Sequence, residues 1–346
     1  AGLGWDMAHD AILGWTSIST ANTFTHQTWA NVMFTHWRGE MVKSLDQSTN
    51  GNIAMTNCVF ADGNATAINI YAALDINGCT FSNLFQIGEY YQQYSTNTSY
   101  FRNSYVTNIT GNAWAWNGAT GKNPPFIMQS NVFYFNGYGR NGLQTTPGDN
   151  IQILDNQFIV EQYMNVIVLG VPGYQGTFCN SNILIAGNSV QCLVPGGTIS
   201  SFIEYGAAPP NNVVNVTIVS NSITGGTVQH ALLSYSTASN NYSGVVIAFN
   251  NFGTSCGFQL SGGVAAPYPL IQTNNLIPPI TISSSGGTTN LLAFNHGTKY
   301  VAVYVRPPST FILSDADSNL IPAGSWMQFD NSLTNQFGGS FTYYLS

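Results

Sequence analysis

Ionisable side chains are scarce in this chain, so the places where they gather stand out. The densest cluster is His36-Trp37-Arg38-Gly39-Glu40-Met41-Val42-Lys43, with Asp46 just beyond. Acid, base and anion-binding groups in one short run suit two chemistries. In glycoside hydrolysis two carboxylates flank the scissile bond, and Glu40 with Glu89 is the pair on offer. In β-elimination a Lys or Arg base removes the proton next to a carboxylate, which Ca²⁺ or cationic side chains neutralise; Lys43 would be that base.

Such groups need elements to hold them, and the chain supplies repeats. A short unit, Asn–x–apolar, recurs at Asn31, Asn57, Asn103, Asn131, Asn156, Asn188, Asn221, Asn250 and Asn274, with Gly78 filling the one gap. The spacings run from 21 to 33 residues. Alternating strands such as Ile151–Leu154 and Val216–Val219 precede most of these Asn, and a second strand such as Ala67–Ile70 or Phe202–Tyr205 follows. A fixed minimum with variable excess fits a coil of three short strands joined by variable loops; neither a Leu pattern nor a helical period is present. Successive coils would stack at about 4.8 Å, the inter-strand distance. An Asn at the same turn of each coil can then hydrogen-bond its neighbours above and below, and it tolerates the left-handed backbone of a sharp turn. The expectation is one inward column of these Asn.

The charged cluster follows the first of these Asn and runs into the second strand of its coil. Glu89 and Glu204 occupy the same strand of later coils. If these strands stack in register, Lys43, Asn69, Glu89, Trp116, Gln144 and Glu204 share one outward column. A flat strip of aromatic and neutral hydrogen-bonding groups suits sugar rings, which stack on aromatic faces. The competing reading is an ordinary solvated face with ion pairs such as Glu40 with Arg38, which contribute little.

The Asn ladder, the irregular coils and the stacked apolar positions resemble the right-handed parallel β-helix superfamily, which includes pectate lyases, polygalacturonases and phage tailspikes. The resemblance covers about residues 10–282. It implies an all-β fold: a right-handed parallel β-helix of about ten coils. It implies less about activity, because that superfamily hosts lyases, hydrolases, esterases, epimerases and non-catalytic fibres. The run from Glu40 to Lys43 is loosely similar to part of one β-helix lyase family, but Asp62–Ile70 lacks the Arg expected about one coil later. The Asp-His and Arg-x-Pro-x-x-Arg signatures of pectate lyases are absent, as is the paired-Asp pattern of polygalacturonases. Hydrolysis is therefore favoured over elimination. Glu40, Lys43 and Glu89 are the catalytic candidates; His36, Trp37, Arg38, Trp116, Gln144 and Glu204 are the substrate-binding ones. The alternative is a non-catalytic adhesin, spike or fibre subunit.

Both ends of an open β-helix need covering. The segment from Trp5 to Trp15 reads as an amphipathic N-terminal cap. The ladder stops near Pro278-Pro279, and Ser283–Gly287 marks a boundary. Beyond it, Tyr300–Val305, Thr310–Leu313, Ser325–Phe329 and Ser340–Leu345 alternate like strands. The expected organisation is a β-helix over residues 1–282 and a small antiparallel β-domain over 283–346 that caps it or mediates self-assembly.

Only 6% of residues are charged, against roughly 25% in an ordinary domain. A surface of neutral hydrogen-bonding groups is common in extracellular β-rich proteins, so the expected location is secreted or cell-surface. The chain opens on Ala1, which reads as a processed or internal start. With seven Lys+Arg and a net charge of −7, nucleic acid is a poor partner, and the expected ligand is a neutral or weakly acidic glycan. No apolar run is long enough to span a membrane. No cofactor or metal site is expected. Asp315-Ala-Asp-Ser-Asn319 opens like a Ca²⁺ loop but has Leu320 and Trp326 where Gly and an acidic residue belong. Asp6, His9 and Asp10 read as polar cap residues. The sequons at Asn64, Asn97, Asn108, Asn215 and Asn241 match chance in so Asn- and Thr-rich a chain. The five Cys leave one over. Cys179 and Cys192 could staple a loop, and Cys58 and Cys79 stack in adjacent coils as a disulfide or a reduced pair.

Overall fold

The computed structural model describes residues 12–14, 27–44, 52–91, 97–117, 123–136, 141–146, 148–170, 178–193, 198–205, 211–225, 227–235, 241–243, 245–251, 257–261 and 270–273. Near the C-terminus it describes 300–304, 313–314, 320–321 and 326–330. All regular structure among them is β, and up to residue 273 every paired strand is parallel to its neighbour one coil away. The result is a parallel β-helix-like solenoid. Partner residues in adjacent coils lie from 20 (Asn69 to Glu89) to 36 (Asn165 to Ser201) positions apart in the chain.

Each coil presents three faces. Face A is a path of ten parallel strands, including Asn52–Thr56, Ser99–Arg102, Ile151–Leu154 and Val245–Ala248. Face B includes Met33–Thr35, Tyr105–Ile109, Val132–Phe135 and Gln157–Val160; face C includes Val42–Ser44, Trp114–Trp116, Asn141–Thr145 and Thr198–Tyr205. Two long strands, Val59–Ile70 and Thr80–Tyr90, run along B and turn onto C, joining them into one sheet. The turn coincides with a register shift between Gly63 and Thr66, the bend that a bulge introduces.

Alternation along each strand sends one side chain in and the next out. On face B, Phe34, Phe60 and Phe81 are register neighbours, stacked at 4.7 and 5.0 Å between ring centroids. Face B carries Val106 in the next coil, and Phe101 of face A fills that level instead, 5.6 Å from Phe81 and 6.2 Å from Phe133. The column then returns to face B as Phe133 and Phe158, at 5.2 Å.

The polar column at the A–B turn corrects the sequence expectation. Register places Cys58, Cys79, Ser104, Asn131, Asn156, Asn188, Asn221 and Asn250 at one buried position. From Asn131 to Asn221, each amide Nδ2 donates to Oδ1 of the Asn one coil on, at 2.9–3.0 Å. Each Nδ2 also reaches back to a carbonyl, such as Phe101 O or Met128 O. Asn31, Asn57 and Asn103 are not in this column: they are exposed, with φ of 58°, 51° and 52°. They share the left-handed position one residue earlier with Gly78, Ser130, Asp155, Gly187, Ser220 and Phe249. Asn274 lies outside the described residues.

In the early coils, thiols and a hydroxyl take the donor's part. Cys58 Sγ donates to Trp29 O and Cys79 Sγ to Met55 O, both at 3.5 Å, the carbonyl position that the Asn amides use later. Cys58, Cys79 and Cys192 are buried and reduced. Burial pushes the Cys79 thiol up to about 11, far from the thiolate form that reacts. Native protein treated with a thiol reagent should leave Cys58 and Cys79 unmodified, whereas denatured protein should label both without reductant. A Cys58–Cys79 cross-linked peptide in the digest would contradict this.

The expected Ser283–Gly287 boundary and the strand Ser340–Leu345 lie outside the described residues. Two of the predicted C-terminal strands are present and antiparallel: Tyr300–Tyr304 pairs with Trp326–Asp330. Leu313–Ser314 pairs likewise with Leu320–Ile321.

Candidate functional site

Face C carries the outward column, and its register is Lys43, Asn69, Glu89, Ala115, Gln144, Val168, Glu204. Five of the six positions share the expected register, although Asn69 and Glu204 are buried, and Trp116 does not share it. It pairs with Tyr90 and Thr145, is fully buried, and packs against Trp114 and Phe126 inside the coil. In Trp114-Ala115-Trp116 both indoles point inward and the small Ala115 faces out; a slip of one residue exchanges the faces. Trp116 is therefore a core residue.

Trp37 is likewise packed away from the strip. It is 7% exposed, edge-on to Phe60, and lies over Gly63, where a Cβ would come within 2.2 Å of the indole. His36 and Arg38 are exposed at the corner between B and C. His36 has φ 58°, and its Nδ1 is 2.6 Å from Thr35 Oγ1. It heads a row of left-handed residues, Asp62, Asn83 and Asn108, in which Asn83 donates to Asp62 (2.9 Å) and Asn108 to Asn83 (2.7 Å).

Around Asn69 the strip does assemble polar groups. Asn69 is 7% exposed, and its Nδ2 donates to Glu40 Oε1 at 2.5 Å. Glu40 thus reaches one rung along the solenoid, while Glu89 is the direct register neighbour of Asn69 on the other side. The two residues flank Asn69 and are two rungs apart, which the rung spacing makes roughly 10 Å. Lys43 pairs with Asn69 through the backbone on the Glu40 side.

Two residues along each strand stand Tyr71 and Tyr91, which the sequence reading missed. Their rings stack 4.3 Å apart and nearly parallel, at 4°. Tyr91 OH lies 3.5 Å from Glu89 Oε2. Burial, with Glu89 and Tyr71 close by, pushes the Tyr91 phenol up to about 12, so it stays a neutral donor. The signal was present as Asn69-Ile-Tyr71 beside Glu89-Tyr-Tyr91, but it becomes legible only once the register is fixed.

Gln144 belongs to a polar row further along, accepting from Asn112 and Asn141, both at 2.9 Å. Asn165 and Ser201 extend the row. Glu204 is four rungs from Glu89, roughly 19 Å, too far to act with it on one bond. It is 3% exposed, its Oε2 has no hydrogen-bond partner, and burial raises its pKa to about 7.

Among the described residues no group of three or more His, Cys, Asp and Glu is placed to hold a metal ion, and no helix is long and apolar enough to cross a membrane. Residues Asp6, His9, Asp10 and Asp315–Asn319 lie outside the described residues. No protein-family model, curated protein or solved structure matches this chain.

Proposed function

We propose that the chain is an extracellular glycan-binding protein, a right-handed parallel β-helix of about ten coils whose face C holds the sugar chain near Glu40, Asn69 and Glu89. One observation carries this reading: a stacked pair of tyrosines, Tyr71 and Tyr91, lies beside Glu89 and the hydrogen-bonded Glu40–Asn69 pair on one strip. Aromatic rings next to hydrogen-bonding groups suit the apolar faces and hydroxyls of sugars. The low charge of the chain supports a secreted or surface location, and its antiparallel C-terminal strands suit capping or self-assembly. Gln144 and the Asn112–Asn141–Asn165 row extend the strip along the solenoid.

A hydrolytic reading has weaker support. Glu40 and Glu89 flank one rung, two rungs apart or roughly 10 Å, at or beyond the upper limit of the ~6.5–9.5 Å used by inverting glycosidases. Glycan arrays combined with assays for reducing ends and unsaturated products separate holding from cutting. Tyr91→Ala should weaken glycan binding by about 1–2 kcal/mol. If the chain cuts, Glu40→Gln and Glu89→Gln should abolish product formation with binding retained. Unchanged affinity in Tyr91→Ala would remove face C as the binding site.

A further inference from the structure

Face A changes character along the solenoid. In the early coils its outward side chains include Asp75, paired to Arg102 at 3.0 Å, as suits a solvated sheet face. From Leu154 onward its strands are apolar on both sides. The register row from Ile153 to Ile247 points inward and is buried. One residue further along each strand, Leu154, Ala186, Val219 and Ala248 form an outward row. Strands apolar on both sides suit a sheet covered on both sides, yet Leu154, Ala186 and Val219 remain partly exposed. Phe249 ends the row. It holds the left-handed position of the turn at φ 55°, where the other rungs carry Asn, Gly, Ser or Asp. A bulky side chain is strained there, and this one is also 59% exposed.

A second copy of this chain fits the row. With a net charge of −7, two copies repel each other and meet best where the contact itself is uncharged. The outward strand positions on the rungs of Leu154, Ala186, Val219 and Ala248 carry no charge, and Asp155 lies in the turn at their rim. The row is also self-complementary. Laid against itself in the opposite sense, it sets Leu154 against Ala248 and Ala186 against Val219, bulky against small, in the manner of a two-fold contact. Phe249 of one copy then lies beside Leu154 of the other. We propose that two copies pack through face A about a two-fold axis, their solenoids antiparallel, with Leu154 and Phe249 as the anchors. The glycan reading concerns face C and is independent of this contact.

Sedimentation velocity of the full chain across a wide range of concentration is the test. The parent should exchange reversibly between monomer and dimer. Phe249→Asn, which relieves the turn, should keep or raise the urea midpoint yet weaken the dimer by about tenfold or more. Leu154→Glu and Ala248→Lys should each stay monomeric alone and associate when mixed, because opposite charges then meet across the contact. Gln157→Glu, on face B, should dimerise like the parent. A parent that stays monomeric throughout would overturn the interface. So would a dimer that Phe249→Asn and Leu154→Glu leave unchanged, which would place self-association, the C-terminal strands included, elsewhere on the chain. A mixture of Leu154→Glu and Ala248→Lys that fails to associate would overturn the antiparallel pairing.

Discussion

Replacing Asn156 by Leu is expected to destabilise the fold by about 3–5 kcal/mol, because several buried groups lose their partners together. Asn156 Oδ1 accepts from both Asn131 N (3.0 Å) and Asn131 Nδ2 (2.9 Å). Its own Nδ2 donates to Met128 O and to Asn188 Oδ1, both at 3.0 Å. Leucine fills a similar volume but removes one of the two hydrogen bonds of the Asn131 amide and takes the side-chain partner from the Asn131 backbone N–H and the Met128 carbonyl, beyond the reach of water. Asn156→Ser should lose less, since Ser104 occupies the same column and keeps one donor and one acceptor: it receives Cys79 N at 3.1 Å and donates to Arg102 O at 2.9 Å. Urea unfolding of the two variants measures the difference. A midpoint for Asn156→Leu equal to that of the parent would mean that the column is not a stabilising feature.

The second large effect is a pH dependence located at Glu204. Its ordinary pKa of 4.5 rises to about 7 through burial. Below about pH 4.5 the folded and unfolded chains both carry the proton, and the contribution to stability is complete. As pH rises towards 7, the unfolded chain gives up the proton while the folded chain retains it, so stability falls. Above 7 the folded chain must hold a charge whose Oε2 has no partner. The linkage relation gives a loss on the order of 3 kcal/mol across this window. Unfolding midpoints at pH 5 and pH 8 should therefore differ more in the parent than in Glu204→Gln, which stays neutral throughout. The same pH slope in both proteins would dismiss Glu204 as its source.

The repeat was legible because strand alternation and turn chemistry are local. The five Asn from Asn131 to Asn250 combine a polar side chain with a fixed offset from an inward aromatic or aliphatic residue, and all five line the interior. The same rule failed at Asn31, Asn57 and Asn103, because two adjacent positions of that turn both favour Asn. One needs a left-handed backbone and the other a buried hydrogen-bonding amide. Where Cys58 and Ser104 take the buried position, the Asn in view is the turn residue, as Gly78 is before Cys79, and alignment on it shifts the coil by one.

The outward column was legible for the same local reason, and it broke where two tryptophans flank an alanine. Trp116 suggests a binding surface by type, yet its parity with Trp114 sends both rings inward. Trp37 is removed from the strip by a partner 26 residues away: Gly63 leaves the space that the indole occupies. The Tyr71–Tyr91 stack and the Glu40–Asn69 bridge both join side chains from different coils, and no local pattern states which rung meets which. Neither do Ile203 and Tyr205, on either side of Glu204, reveal that its outward-facing carboxyl is buried.

Hydrogen–deuterium exchange of the full chain, with and without a glycan selected on an array, tests the central claim most directly. Binding on face C should slow exchange in the strand segments around Asn69–Tyr71, Glu89–Tyr91 and Trp114–Asn117, and leave faces A and B at the same levels unchanged. Protection confined to face A or face B, with those three segments unaffected, would contradict the assignment of the glycan site to face C.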